Sequence, residues 1–302
     1  MTSQVPTNAI VVGVDGSAQG WNALRWAADR ADRSGRPLHI MHAVGAHMSI
    51  YDLAPNREPM DNVTDEAVGV VARHHPNLPV TWSQPGDAPA AALVEVSSVA
   101  AEIVLGTKGM GAVRGAVLGS VTTQVSAAAH CPVLVVRDVA KERAARGPVV
   151  VGVDPRPDGV AALDFAFAEA ARMKVPLVAI LCWQLDRWDF ASGIPMPGGD
   201  LKATRQYHRE QLQQVLTGPA EQHPGVKVVM RVECAPTAAT LVEASHNASL
   251  LVVGTRGHHE LVGLVLGSVS QSVIRHATCP VAVVTHAVID HAATSAKSHT
   301  PV

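Results

Sequence analysis

The chain has 302 residues, with 24 Lys plus Arg against 26 Asp plus Glu, for a formal net charge of −2. Its longest basic stretch is the short Lys141–Arg146 run, which excludes the electrostatic footprint of a nucleic-acid or membrane-surface binder. No apolar run approaches the roughly 20 residues that cross a bilayer and Met1–Ala9 lacks a basic-then-apolar leader, so the expected location is the cytoplasm.

In chain order the first half reads as strand Ile10–Val14, helix Ser17–Arg33 and strand Leu38–Ala43. A Pro-punctuated segment, Ala46–Pro59, and a helix near Asp61–Arg73 follow. Then come strand Val80–Trp82, helix Pro89–Ala100, strand Ile103–Leu105, helix Gly119–Ala129 and strand Val133–Val136. In the first helix Trp21, Leu24, Ala28 and Ala31 share one face, which predicts packing on a sheet, with Ser17 placed to cap the start. Aromatic residues make up only 3% of the chain, so the core must be Val, Ala, Leu and Ile, which suits strands buried on both faces.

Asp138–Gly147 reads as a charged linker, after which the same alternation returns. Its strands are Val149–Val153, Leu177–Leu181, Lys227–Val232, Leu250–Val253 and Val281–Val284. Its helices are Val160–Met173, Leu201–Leu216, Ala238–His246 and Gly267–His276. Early elements match the first half at an offset of 139 and late ones at 148, so the extra residues fall between them, around Trp183–Asp200, where Gly and Pro exclude a regular element. That segment and Ala46–Pro59 both leave the C-terminal end of a second strand and read either as lids or as surface loops. The expected division is a domain over 1–137, a linker over 138–147, a domain over 148–285 and a disordered tail over 286–302.

The pattern Gly-x2-Gly-x9-Gly-Ser occurs twice, at Gly106, Gly109, Gly119, Ser120 and at Gly254, Gly257, Gly267, Ser268. Composition alone would produce one copy roughly 0.02 times per chain, so duplication explains the pair. A strand, a glycine loop, a helix start and another strand is how an open parallel sheet seats phosphate. The fold class is therefore α/β, with two Rossmann-like domains, each a five-stranded parallel sheet of order 3-2-1-4-5 flanked by helices.

In that order Asp15 and Asp154 close strand 1 beside the crevice, opposite the glycine loops. The expected site is Asp15, Gly106, Lys108, Gly109, Gly119, Ser120 and Val121 in half one, and Asp154, Gly254, Arg256, Gly257, Gly267, Ser268 and Val269 in half two. Glycine amides and the helix start would meet phosphate, the two Ser hydroxyls would add hydrogen bonds, and Lys108 and Arg256 would neutralise charge. Asp15 suits ribose hydroxyls or an adenine-side contact. The plainer readings are turn glycines, a helix-capping Asp and solvated cations. Cys131 and Cys279 share one repeat position, and with Cys182 and Cys234 they are expected as reduced, buried thiols. The 15 His lack zinc-helix spacing, so no metal site is expected.

Val12-Gly13-Val14-Asp15-Gly16-Ser17, Gly106-Thr107-Lys108-Gly109, Leu118-Gly119-Ser120-Val121 and Cys131-Pro132-Val133, with their second-half counterparts, resemble a tandem universal stress protein of the ATP-binding branch. The resemblance covers nearly all of residues 8–285. It implies a cytoplasmic, stress-associated binder of ATP, with or without Mg²⁺, whose two halves pair through their last strands as an intrachain pseudo-dimer. A homodimer and a protein partner are left open. Asp154-Pro155-Arg156 departs from the Asp-Gly-Ser of half one and puts the second site in doubt, because Pro155 lacks an N–H.

No Walker loop, kinase His-Arg-Asp set or Gly-x-Ser-x-Gly elbow occurs, which favours a nucleotide-dependent sensor or regulator over an enzyme. The alternatives are a slow ATPase or self-phosphorylating protein using Ser120 or Ser268, and an interaction scaffold that binds no nucleotide.

Overall fold

A computed structural model of the chain describes residues 4–43, 62–109, 118–137, 147–156, 159–184, 201–255 and 266–285. The chain divides into two compact units, one built on Met1–Asp138 and the other on Val139–His259 with Gly267–His286. In unit 1 the elements are β1 (Ile10–Gly13), α1 (Ala18–Ser34), β2 (Leu38–Met41), α2 (Asn62–His74), β3 (Val80–Ser83), α3 (Pro89–Val96), β4 (Glu102–Gly106), α4 (Ser120–Ala128) and β5 (Val133–Val136). In unit 2 they are β6 (Val149–Gly152), α5 (Val160–Met173), β7 (Leu177–Trp183), α6 (Leu201–Gln222), β8 (Val228–Cys234), α7 (Thr237–Ser245), β9 (Leu250–Gly254), α8 (Ser268–His276) and β10 (Val281–Val284).

Within unit 1 every strand pair is parallel and the order is β3-β2-β1-β4-β5. Within unit 2 it is β10-β9-β6-β7-β8, again all parallel. Each order reverses beside the first strand, between β1 and β4 or between β6 and β9. That reversal is where an open sheet forms its crevice, outside the carboxyl ends of the strands. The strands hold their place because they are apolar on both faces: Ile10, Val11, Val12, Ile103, Val104, Val133 and Leu134 are all fully buried.

Helix α1 shows how sequence sets one element. Ser17, extended at φ −72°, accepts the Gly20 amide at 3.0 Å and so starts the helix. Gly35 ends it in the left-handed region at φ 66°, its amide turned back to Ala31 and Asp32. Leu24, Ala28 and Ala31 are buried, as the spacing predicts, and Ala27 is buried beside them, whereas Trp21 is half-buried. The same helix carries a buried ion pair into the sheet: Arg30 Nε donates to Glu102 Oε1 and Nη2 to Oε2 at 2.6 Å, and the guanidinium lies 5.3 Å from the Trp26 ring.

Some expectations need adjustment. The helix expected over Pro89–Ala100 ends at Val96, because Ser97 folds back with its Oγ donating to Val94 O at 2.5 Å. Strand β7 continues through Cys182 to Trp183, in register with Glu233 and Cys234, so Trp183 belongs to a strand and not to the irregular segment expected from it onward. The lid readings otherwise fall on 46–59 and 185–200, outside the described residues. All four cysteines are free thiols, but only Cys131 and Cys279 are buried; Cys182 is half-buried and Cys234 exposed, because they sit near the end of unit 2's edge-strand pair β7–β8. Burial pushes the Cys131 thiol up to about 12, with the Glu102 charge adding to the effect, and burial does the same for Cys279.

Candidate functional site

The tips of β1 and β4 in unit 1 bring the acidic residue and the glycine loop together. Asp15 lies two residues beyond the end of β1, and its Oδ1 accepts the Ser17 amide at 3.1 Å and the Ser17 hydroxyl at 2.6 Å. Ser17 therefore does two jobs, capping α1 and orienting the carboxylate, and its Oγ also lies 3.5 Å from the Lys108 carbonyl. On the other side a Cβ at Gly109 would collide with Asp15 Oδ2, so glycine there is what lets the loop close on the acid. Lys108 is half-exposed beside it.

The loop then leads into α4. Gly119 packs against Thr107, Lys108 and Gly109, with the Lys108 Cα 3.6 Å from where its Cβ would be. Having no side chain, Gly119 provides no cap, and the first helical bond runs from the Thr123 amide to its carbonyl at 3.1 Å. The amides of Ser120, Val121 and Thr122 are thus left at an N-terminus without a side-chain cap, the arrangement that favours an anion. Ser120 is exposed and Val121 half-buried, and the Thr122 hydroxyl donates inward to Gly106 O at 2.8 Å.

Three glycines are engaged otherwise than spacing predicts. The Gly119 amide donates to Thr107 O at 2.8 Å and the Gly267 amide to Thr255 O at 2.9 Å, so both close the loop on itself and neither points at a ligand. A Cβ at Gly106 would stand 2.9 Å from the Gln19 backbone, so this glycine serves helix–strand packing. Spacing alone cannot tell a glycine that yields to phosphate from one that yields to a neighbouring backbone.

Unit 2 repeats the loop more faithfully than the acid. Ser270 Oγ donates to Gly254 O at 2.6 Å, as Thr122 does to Gly106, and Gly267 leaves α8 without a side-chain cap ahead of Ser268 and Val269. Arg256 and Gly257 lie outside the described residues. Asp154, however, is held by Arg156, the residue at the Ser17 position. Nε reaches Oδ1 at 3.0 Å, Nη2 reaches Oδ2 at 2.6 Å and the Arg156 amide reaches Oδ1 at 3.2 Å.

One polar group at the unit 1 tips escaped the sequence reading. His42 follows β2, is 3% exposed, and its Nδ1 stands 2.7 Å from the Val14 carbonyl. A carbonyl only accepts, so in the neutral ring Nδ1 carries the proton and Nε2 is an acceptor, buried and without a hydrogen-bond partner among the described residues. The equivalent residue of unit 2 is Leu181, which is apolar and 2% exposed. A lone His after an apolar strand gives no sequence signal of its own; the comparison between repeats does.

A depression of about 450 Å³ lined by Lys174, Pro176, His223 and Lys227 lies at the N-terminal ends of β7 and β8, the end of a parallel sheet away from its ligand crevice. Among the described residues no group of three His, Cys, Asp or Glu could hold a metal ion, and no helix is long and apolar enough to cross a membrane.

With parallel strands in each unit and a glycine loop against the strand-1 acid in unit 1, the molecule belongs among the α/β proteins with strand-tip crevices. The universal stress protein family model matches residues 6–137 and again 146–285, and the chain belongs to that family. A universal stress protein of Mycolicibacterium smegmatis is 35% identical over 297 residues, covering 94% of this chain and 99% of its own. One from Mycobacterium tuberculosis H37Rv is 33% identical over 293 residues, covering 91% and 96%. Among solved structures, a universal stress protein from Archaeoglobus fulgidus superposes with a TM-score of 0.65 at 20% identity, over 93% of this chain and all of that one. A functionally unknown protein from Pseudomonas aeruginosa superposes with a TM-score of 0.63 at 15% identity, over 97% and 98%. At those identities the two structures speak to the fold.

Proposed function

We propose that this universal stress protein binds ATP at the strand-tip crevice of unit 1 and acts as a nucleotide-dependent regulator in the stress response. The observation that carries the reading is the convergence of Asp15, Gly109 and the uncapped start of α4 at the point where the sheet order reverses. A triphosphate supplies the negative charge that the amides of Ser120, Val121 and Thr122 lack, with the Ser120 hydroxyl and the Lys108 ammonium beside it. The sugar hydroxyls donate to the Asp15 carboxylate, which Ser17 holds in place. Ser17, Gly109 and Lys108 position the acid and the loop; the Ser17 hydroxyl that meets Asp15 is also engaged in capping α1, so binding rather than turnover is the assigned role.

Native mass spectrometry of the purified protein tests this reading. Co-purified or added ATP is expected on the wild-type chain, and Asp15→Ala is expected to weaken unit 1 binding about tenfold, the value of one good charge-assisted hydrogen bond. ATP affinity unchanged by Asp15→Ala removes the crevice from the account.

A further inference from the structure

Strand β8 stands at one edge of the unit 2 sheet, with β7 as its neighbour on one side. The Leu177 amide donates to Lys227 O at 2.9 Å and the Ala235 amide to Trp183 O at 3.1 Å, so the odd-numbered residues from 227 to 235 turn their backbone groups toward β7. Val228, Met230, Val232 and Cys234 turn theirs outward. An open strand edge is commonly kept short; β3, at the edge of the unit 1 sheet, has four residues, whereas β8 has seven. It also carries Val229, an apolar side chain that is 40% exposed.

Beside that edge lies a depression of about 440 Å³. Helix α6 contributes Lys202, Arg205 and Arg209 to it, three and four residues apart and so on one face, and β8 contributes Arg231 and Glu233. With Lys202 set aside, three guanidiniums still line it against one carboxylate. Arg231 donates from Nε and Nη2 to Glu233 Oε1 alone, at 3.3 Å and 3.2 Å. Arg205 Nη2 donates to the Val232 carbonyl at 3.1 Å, a neutral acceptor that belongs to the outward row of the edge. Among the described residues no carboxylate pairs with Arg205 or Arg209. Positive charge and outward-facing backbone therefore meet at one opening.

We propose that this edge is a docking site for an extended, acidic segment of a partner protein, which adds to β8 as a further strand and sets its Asp or Glu side chains against Arg205, Arg209 and Arg231. Strand addition supplies main-chain hydrogen bonds whatever the sequence, and alternate side chains supply the selection. A second copy of this chain fits less well, because two-fold pairing of β8 with itself sets one arginine-lined groove against another. The proposal is independent of the nucleotide reading, since no residue of the unit 1 crevice takes part.

Fluorescence anisotropy of a labelled peptide of alternating Val and Glu, about eight residues long to match β8, tests it by titration with the full-length chain. Saturable binding is expected, weakened at least about tenfold by Arg209→Glu and lost when Lys replaces Glu throughout the peptide. Arg209 is exposed, so that variant is expected to fold. Met230→Pro removes one outward N–H at an edge where proline is tolerated, and is expected to weaken binding severalfold. N-methylation throughout the peptide removes the donors of the added strand and is expected to weaken binding to the wild-type protein at least as much, which keeps the strand test free of any effect of proline on folding. No saturable binding overturns the inference. So does binding that survives both N-methylation and Met230→Pro, which reduces the contact to charge alone, and so does equal binding of the Lys peptide. A single-stranded RNA oligonucleotide that binds more tightly than the peptide and displaces it overturns it as well, assigning the groove to a different polyanion.

Discussion

His39 sits in the second strand of unit 1, fully buried, with Nδ1 2.8 Å from Thr81 Oγ1 and Nε2 2.8 Å from Ser83 Oγ. Burial brings its pKa down from the ordinary 6.5 to about 4. Between those values the unfolded chain carries a proton on His39 and the folded chain does not. Unfolding therefore takes up protons, and stability is lost as pH falls through the window. Urea midpoints are expected to drop between pH 7 and pH 4, with His39 contributing on the order of 2 kcal/mol. His39→Gln, which retains hydrogen-bonding atoms but does not titrate there, should show a visibly shallower dependence. An identical slope in both proteins contradicts the assignment. Nothing in the sequence marks this residue, because the hydroxyls that hold it, at Thr81 and Ser83, lie more than forty residues away on the next strand.

At the scale of elements, the repeat supplies its own controls. Gly35 closes α1 with φ 66°, and the equivalent Lys174 closes α5 with φ 55°, making the same return bonds to Ala170 and Ala171. A side chain in the left-handed region is strained where glycine is not. Lys174→Gly is therefore expected to stabilise unit 2 by up to about 1 kcal/mol, read as a higher thermal midpoint for that unit, and Gly35→Ala to destabilise unit 1 by a similar amount. A lower midpoint for Lys174→Gly contradicts the cap assignment. The start of α1 at Ser17 was legible because its hydroxyl acts locally; the end of α5 falls where the sequence pattern put it, at Met173, although Lys174 gives no stop signal of its own. The Arg30–Glu102 pair was not legible at all, because its partners are far apart in sequence and unit 2 has Glu169 and Leu250 at the same places.

For the molecule as a whole, α/β alternation and the duplicated loop were legible because apolar strands and glycine spacing are written locally, twice. The candidate site was legible in part. Asp15, Lys108, Gly109 and Gly119 were found by spacing and do come together in unit 1. The direction of the Gly119 and Gly267 amides, the packing role of Gly106 and the grip of Arg156 on Asp154 depend on three-dimensional neighbours that spacing does not specify. On the shared fold, the strand-1 acids of the two units differ in what holds them, Ser17 in one and Arg156 in the other. The claim on which this account turns is that the open start of α4 receives the polyphosphate. Nuclear magnetic resonance of the ¹⁵N-labelled chain titrated with ATP tests it most directly. The amides of Ser120, Val121 and Thr122 are expected to show the largest shifts, with Gly119, already bonded to Thr107, moving less. Saturable binding that leaves those three amides unmoved contradicts it.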